Sequence, residues 1–300
     1  MYKKYEMELA GRTLRVDVDR VAKQANGGVL MHYGDTTVLC TATASEKPRD
    51  GIDFFPLSVE YNERLYAVGK IPGGFNKREG KASENAILTD RVIDRPMRPL
   101  FPKDYRNDVT LENLVMSVDQ DCSPELTAML GASIATSISD IPFDGPISTT
   151  QVGLIDGEFI FNPTAAQREV SEMALTVAST KEKVIMIEAG ANEVPEDRMI
   201  EAIFAAHELN QQVIAFFDTI VTECGKPKHG YESCAVPEEL FAEIKEIVPP
   251  DAMEEAVFTD DKQTREENIR QITDKLEEAF AENEEWLAVL GEAVYQYQKK

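Results

Sequence analysis

The sequence has almost none of what a metal centre is built from. It holds three histidines, His32, His207 and His229, and four cysteines, Cys40, Cys122, Cys224 and Cys234. No CxxC, HExxH or other His/Cys ligand spacing occurs, which argues against a zinc site. Cysteines this scattered do not make a disulfide framework and read as buried, reduced thiols of a cytoplasmic protein. No apolar run approaches membrane-spanning length and no N-terminal signal pattern is present, so the chain reads as soluble, unexported and without a membrane partner. Positive charge is short as well: 31 Lys and Arg stand against 54 Asp and Glu, a net charge of -23. That sign repels phosphate and, taken alone, speaks against a nucleic-acid partner.

The deficit is uneven. Residues 1–100 carry 16 basic and 14 acidic side chains, residues 101–234 carry 8 and 22, and residues 235–300 carry 7 and 18. Local field decides where a polyanion approaches, and the cations gather in one stretch, "GKIPGGFNKREGKASE", at 69–84. There Gly73 and Gly74 free the backbone to turn and to present N–H groups to an anion. Phe75 is a ring able to stack on a base, and Lys77, Arg78 and Lys81 are placed to neutralise phosphates. The bland alternative is an exposed strand-to-helix connection with its ring folded inward.

The first half alternates as strands do, at 13–19, 36–45 and 53–61. A helix is expected from about 83, ended by Pro96 and Pro99. A strand at 109–119 and a helix at 123–139, rich in small residues, come next. Asp156-Gly157 marks a hairpin within 150–163. Two strands and a long amphipathic helix at about 196–223 complete this part. After "GKPKHGYESC" (225–234) the pattern is all helix, interrupted by Pro249-Pro250, with helices at about 263–282 and 284–298. The helical pattern runs to the last residue without a glycine cap, as expected of a portion of a longer protein.

The helix after the basic loop sets Arg91, Arg95 and Arg98 at i, i+4 and i+7 on one face. Like charges on one face need anions. Either Asp90 and Asp94 answer them, or the face binds phosphate.

"YAVGKIPGGFNKREGKASENAILTDRVIDRPMRPLFP" and "GASIATSISDIPFDGP" closely resemble the N-terminal part of bacterial polynucleotide phosphorylase, and the likeness runs from about residue 5 to 300. Members degrade single-stranded RNA, mRNA included, from the 3′ end, using inorganic phosphate to release nucleoside diphosphates. They also run backwards as nucleotidyltransferases. Each chain joins two RNase PH-like halves through an all-helical domain, adds KH and OB-type domains, and forms a homotrimeric ring around a channel. The resemblance implies an α+β fold: a ribosomal-protein-type β-α-β RNase PH-like domain with mixed sheets at 1–230, then an all-α domain at 235–300 that is truncated at its C-terminal end. It implies a cytoplasmic protein with RNA and RNA-degradation complex proteins as partners, and Mg²⁺ and phosphate serving the whole enzyme.

In the family, chemistry belongs to the second half. There, serines open the helix before "GAS" and hold phosphate; here that segment is Ser123-Pro124-Glu125, whose carboxylate repels it. There, aspartates and a lysine precede the "VAGS" strand; here those places, counted back from Val177-Ala178-Ser179-Thr180, hold Ala166, Glu172, Ala174 and Thr176. One carboxylate is too few for a Mg²⁺ site. The implication is a chemically silent copy, with no catalytic residue and no metal site in this portion, that assembles the ring and guides RNA. Many members carry Phe-Phe-Arg-Arg where this chain has Phe75-Asn76-Lys77-Arg78, so one stacking ring, worth about 1–3 kcal/mol, is missing. The expected RNA-binding residues are Phe75, Lys77, Arg78, Lys81, Arg91, Arg95 and Arg98. A non-catalytic assembly module that docks proteins through its acidic helices, and a self-sufficient RNase PH-type enzyme, are the competing readings.

Overall fold

The computed structural model describes residues 2–49 and 51–299. They form two compact units, one up to Glu232 and one from Ser233 onward.

The first unit is α+β. Its larger sheet runs in the order β1 (Lys3–Leu9), β2 (Arg12–Val18), β3 (Gly27–Tyr33), β4 (Thr36–Ala44), β6 (Val109–Ser117), β5 (Leu57–Glu63). It is mixed, because β5 lies parallel to β6 while the other pairings are antiparallel. The smaller sheet is antiparallel, in the order β10 (Val184–Ala191), β9 (Met173–Ser179), β7 (Ser148–Ile155), β8 (Glu158–Phe161). The turn expected at Asp156-Gly157 joins β7 to β8, with φ of 50° and 79°.

Helix α2 (Pro124–Ile138) packs against β3, β4 and β6 of one sheet and β7 of the other. Every residue from Leu126 to Ile138 is buried. Its small side chains let both sheets approach: a Cβ on Gly131 would lie 2.3 Å from Cys40 Sγ. Ser133 Oγ donates to the Ile147 carbonyl (2.7 Å) and accepts from the Ile147 N–H (2.8 Å), so a polar residue fits this core with its bonds satisfied. The long helix α4 (Glu196–Cys224) covers β7 and β9. Buried Asn210 on α4 accepts from Ser148 and Thr150 and donates to Val177 and Ser179.

Helix α1 (Glu84–Met97) follows the basic loop, capped by Ser83 Oγ accepting the Ala86 N–H at 3.1 Å. Pro96 does not end it but sits in its last turn, where the ring leaves only one carbonyl without a helical partner. Two strands, β1 and β3, were not among those expected, although β1 alternates Tyr5, Met7 and Leu9 with charged residues; β3 opens on two glycines. The strand expected at 53–61 begins at Leu57, after Pro56. The short helix α3 (Ala165–Val170) also lay outside the reading. Cys40 and Cys122 are buried; Cys224 and Cys234 are only partly so, which corrects the uniform expectation.

The second unit is all-helical: α5 (Glu238–Ile247), α6 (Pro250–Val257), α7 (Lys262–Ala279) and α8 (Glu284–Gln298). Pro250 begins α6 rather than merely interrupting, because the first turn needs no N–H donor. Its core includes Leu240, Ile244, Leu276, Phe280 and Leu290, with the Phe280 and Trp286 rings edge-on at 5.1 Å. Among the described residues no helix is long and apolar enough to cross a membrane.

Candidate nucleic-acid interface

The basic loop leaves β5 through a 3-10 turn, Leu65–Val68, closed by Gly69 in the left-handed region at φ 69°. At its tip the Lys77 N–H donates to the Gly74 carbonyl at 3.0 Å, a tight turn with Phe75 at the apex. The residue that takes up the left-handed geometry is Lys77, φ 50°, and not Gly73 or Gly74. The Phe75 ring is wholly exposed, so it is not folded inward. Lys77, Arg78 and Lys81 are exposed beside it. Beneath the loop lies a cleft of about 560 Å³. Arg78, Lys81 and Ser83 line it together with the apolar Ala67, Val115, Val118 and Pro124. The loop thus offers one free ring, three cations and a partly apolar recess, the components that grip a single strand.

Of the two carboxylates in this basic stretch, Glu84 opens helix α1, while Glu79 points inward. Oε1 accepts the Leu65 N–H at 2.6 Å and Oε2 accepts from Arg64 at 2.9 Å. These two donors hold its carboxyl below the usual range, the backbone bond contributing most.

The arginine face of α1 divides into three different situations. Arg98 donates to both carboxylate oxygens of Asp94 (2.9 and 2.7 Å) and to the Phe55 and Leu57 carbonyls (3.1 and 3.2 Å), and lies over the Phe55 ring. Arg95 pairs with Glu188 of β10 at 3.0 Å, a partner the local sequence could not reveal. The Arg91 side chain is exposed and makes no hydrogen bond or ion pair among the described residues. Asp90 does not answer the arginines as expected; its carboxylate accepts the Tyr61 N–H of β5 instead. Burial, reinforced by Glu60, pushes Asp90 up to about 6 against that hydrogen bond. All three arginines border one open groove along β5, of about 510 Å³, but only Arg91 faces it with an unanswered charge.

Three of the four positions compared in the sequence analysis, Glu172, Ala174 and Thr176, fall on β9 or directly before it. Glu172, Ala174 and Thr176 alternate with buried residues and so share the open side of β9 and the residue before it. Gln151 and Arg168 line both the cleft above Ala174 and Thr176 and the cleft at the start of α2. At the start of α2 the Ser123 hydroxyl donates to Glu125 at 2.7 Å while accepting the Leu126 N–H at 3.1 Å. Glu125 thereby occupies the positive helix end with the chain's own anion. The open side of β9 offers one carboxylate, Glu172, beside a methyl and a hydroxyl, and this set does not fit Mg²⁺. Among the described residues no three His, Cys, Asp or Glu side chains cluster as metal ligands.

Residues 10–142 match domain 1 of the 3′ exoribonuclease family and residues 145–208 match its domain 2. The chain is 77% identical over its whole length to the polyribonucleotide nucleotidyltransferase of Lachnoclostridium phytofermentans, and 56% identical to that of Ruminiclostridium cellulolyticum. It spans 43% of the length of each. The crystal structure of rice Rrp46 superposes with a TM-score of 0.53 at 15% identity, covering 74% of this chain and 94% of that one, a likeness of fold. The chain belongs to the 3′ exoribonuclease family and corresponds to the N-terminal portion of its polyribonucleotide nucleotidyltransferases.

Proposed function

We propose that this chain is the RNA-guiding, non-catalytic RNase PH-like portion, with helical domain, of a phosphorolytic 3′-to-5′ exoribonuclease. The whole enzyme degrades single-stranded RNA with inorganic phosphate, uses Mg²⁺ held outside this portion, and works as a homotrimer in the cytoplasm. The observation that carries the reading is the exposed Phe75 ring, set among Lys77, Arg78 and Lys81 in a chain of net charge -23. Stacking on Phe75 tolerates any base, and the three cations meet successive phosphates. Arg91, exposed and unanswered, extends the track, whereas Arg95 and Arg98 act chiefly through Glu188 and Asp94. Glu125 and the depleted face of β9 support a silent site. On this chain alone no step of phosphorolysis is expected.

The test is binding and turnover on one preparation. The 300-residue chain, given poly(A), phosphate and Mg²⁺, is expected to bind RNA and release no ADP. Replacing Lys77 and Arg78 together should flatten the dependence of log K on log salt by about 1.4, at about 0.7 per phosphate for a single strand. An unchanged slope sinks the loop as the RNA grip. ADP release that co-purifies with the chain sinks the silent site.

A further inference from the structure

Within residues 71–82, Pro72 and Glu79 are the only two that are not exposed. Among the described residues, Glu79 alone supplies side-chain hydrogen bonds or ion pairs from this segment to the rest of the unit. It closes a chain segment that begins at Leu65, where the 3-10 turn leaves an orphan N–H. One carboxylate oxygen fills that donor and the other holds Arg64, whose guanidinium stands at the same corner. Lys77, Arg78 and Lys81 flank this anchor on both sides, and Phe75 lies four residues before it.

Resting on the RNA-guiding reading above, we infer that Glu79 is a positioning residue, a latch that fixes the gripping loop above its cleft so that Phe75 and the cations meet RNA preformed. A carboxylate amid phosphate-binding cations is otherwise unfavourable, because it repels the ligand. Held loosely in solvent, it could only weaken binding. Held as a latch, it removes the entropy that a free loop must lose when RNA orders it.

The two roles predict opposite signs. If Glu79 is only a charge, Glu79→Ala tightens RNA binding. If it is the latch, Glu79→Ala weakens binding by about fivefold even though the loop becomes more positive. Glu79→Gln keeps an acceptor for the Leu65 N–H and should fall between. The control is Glu84→Gln, which removes a first-turn carboxylate next to the same loop without touching the latch and should bind equally or slightly tighter. Binding of a labelled oligo(A) at fixed salt reads these differences. Amide exchange at Leu65, measured without RNA, reads the latch itself and should accelerate in Glu79→Ala while the protection of α2 stays unchanged. Tighter or equal RNA binding by Glu79→Ala overturns the inference, as does unaltered exchange at Leu65. Failure of the unsubstituted chain to bind oligo(A) would instead remove the guiding reading, and the exchange result would still judge the latch.

Discussion

Two aspartates show how opposite environments set one side chain's behaviour. Asp90 is pushed up to about 6 by burial and by Glu60. A carboxyl whose folded pKa is raised contributes most below about pH 4 and loses that contribution as pH rises through 6. Asp90→Asn keeps an oxygen for the Tyr61 N–H and does not titrate. It should match the unsubstituted protein near pH 3 and exceed it near pH 8 by up to about 1 kcal/mol, the full shift being discounted for partial exposure. Thermal unfolding at the two pH values checks this, and a pH-independent difference refutes it. Asp17 is the reverse case. Burial raises it, but Arg20 at 2.7 Å, His32 at 3.3 Å and Arg15 at 3.4 Å outweigh that and leave it lowered. Its contribution is present above about pH 4 and is lost as pH falls through the lowered value. Asp17→Asn should cost about 2 kcal/mol near pH 7, because it removes the buried carboxylate that accepts from Arg20 and answers Arg15, and that deficit should shrink on acidification, as urea titrations would record.

At the scale of elements, α2 carries the first unit. Between two sheets it has no solvent face, so its sequence has lost amphipathic contrast and kept small side chains. Gly131→Ala forces a methyl onto Cys40 Sγ, which a Cβ there would approach to 2.3 Å. The expected loss is about 1–3 kcal/mol from overpacking. Cys40→Ala in the same chain should restore part of it, a coupling that a double-mutant cycle in denaturant measures. Additive losses would mean the clash is relieved elsewhere. Element α1 works differently. Its side chains complete the edge of β5: Asp90 takes the Tyr61 N–H and Arg98 takes the Phe55 and Leu57 carbonyls. An edge whose polar groups are filled by side chains is a poor template for another strand.

For the whole molecule, distribution of charge matters more than its sum. Residues 235–300 carry 18 acidic against 7 basic side chains, while 61–100 carry 5 against 8. Phosphate should therefore be excluded from the helical unit and gathered at the loop. Ultraviolet cross-linking to a photoreactive oligonucleotide should place adducts on the peptide containing Phe75 and leave 235–300 unmodified. Adducts concentrated in the helical unit would overturn this division.

The sequence by itself determined the fold class, the family, most helices and the gathering of cations in one loop. These follow from periodicity, turn chemistry and residue identity, which are local. Strand β1 carried a legible alternation of Tyr5, Met7 and Leu9 with charge, whereas β3, opening on two glycines, takes its stability from cross-strand pairing. The sequence did not tell the three arginines apart. Arg98 lies one turn from Asp94, but Arg95 meets Glu188 from 93 positions away, and Asp90 turns to a strand 29 positions back. Glu79 looked like one more charge in a charged loop. Only the tertiary structure decided its role, because a carboxylate becomes an anchor when the fold brings it an unpaired N–H and a guanidinium together.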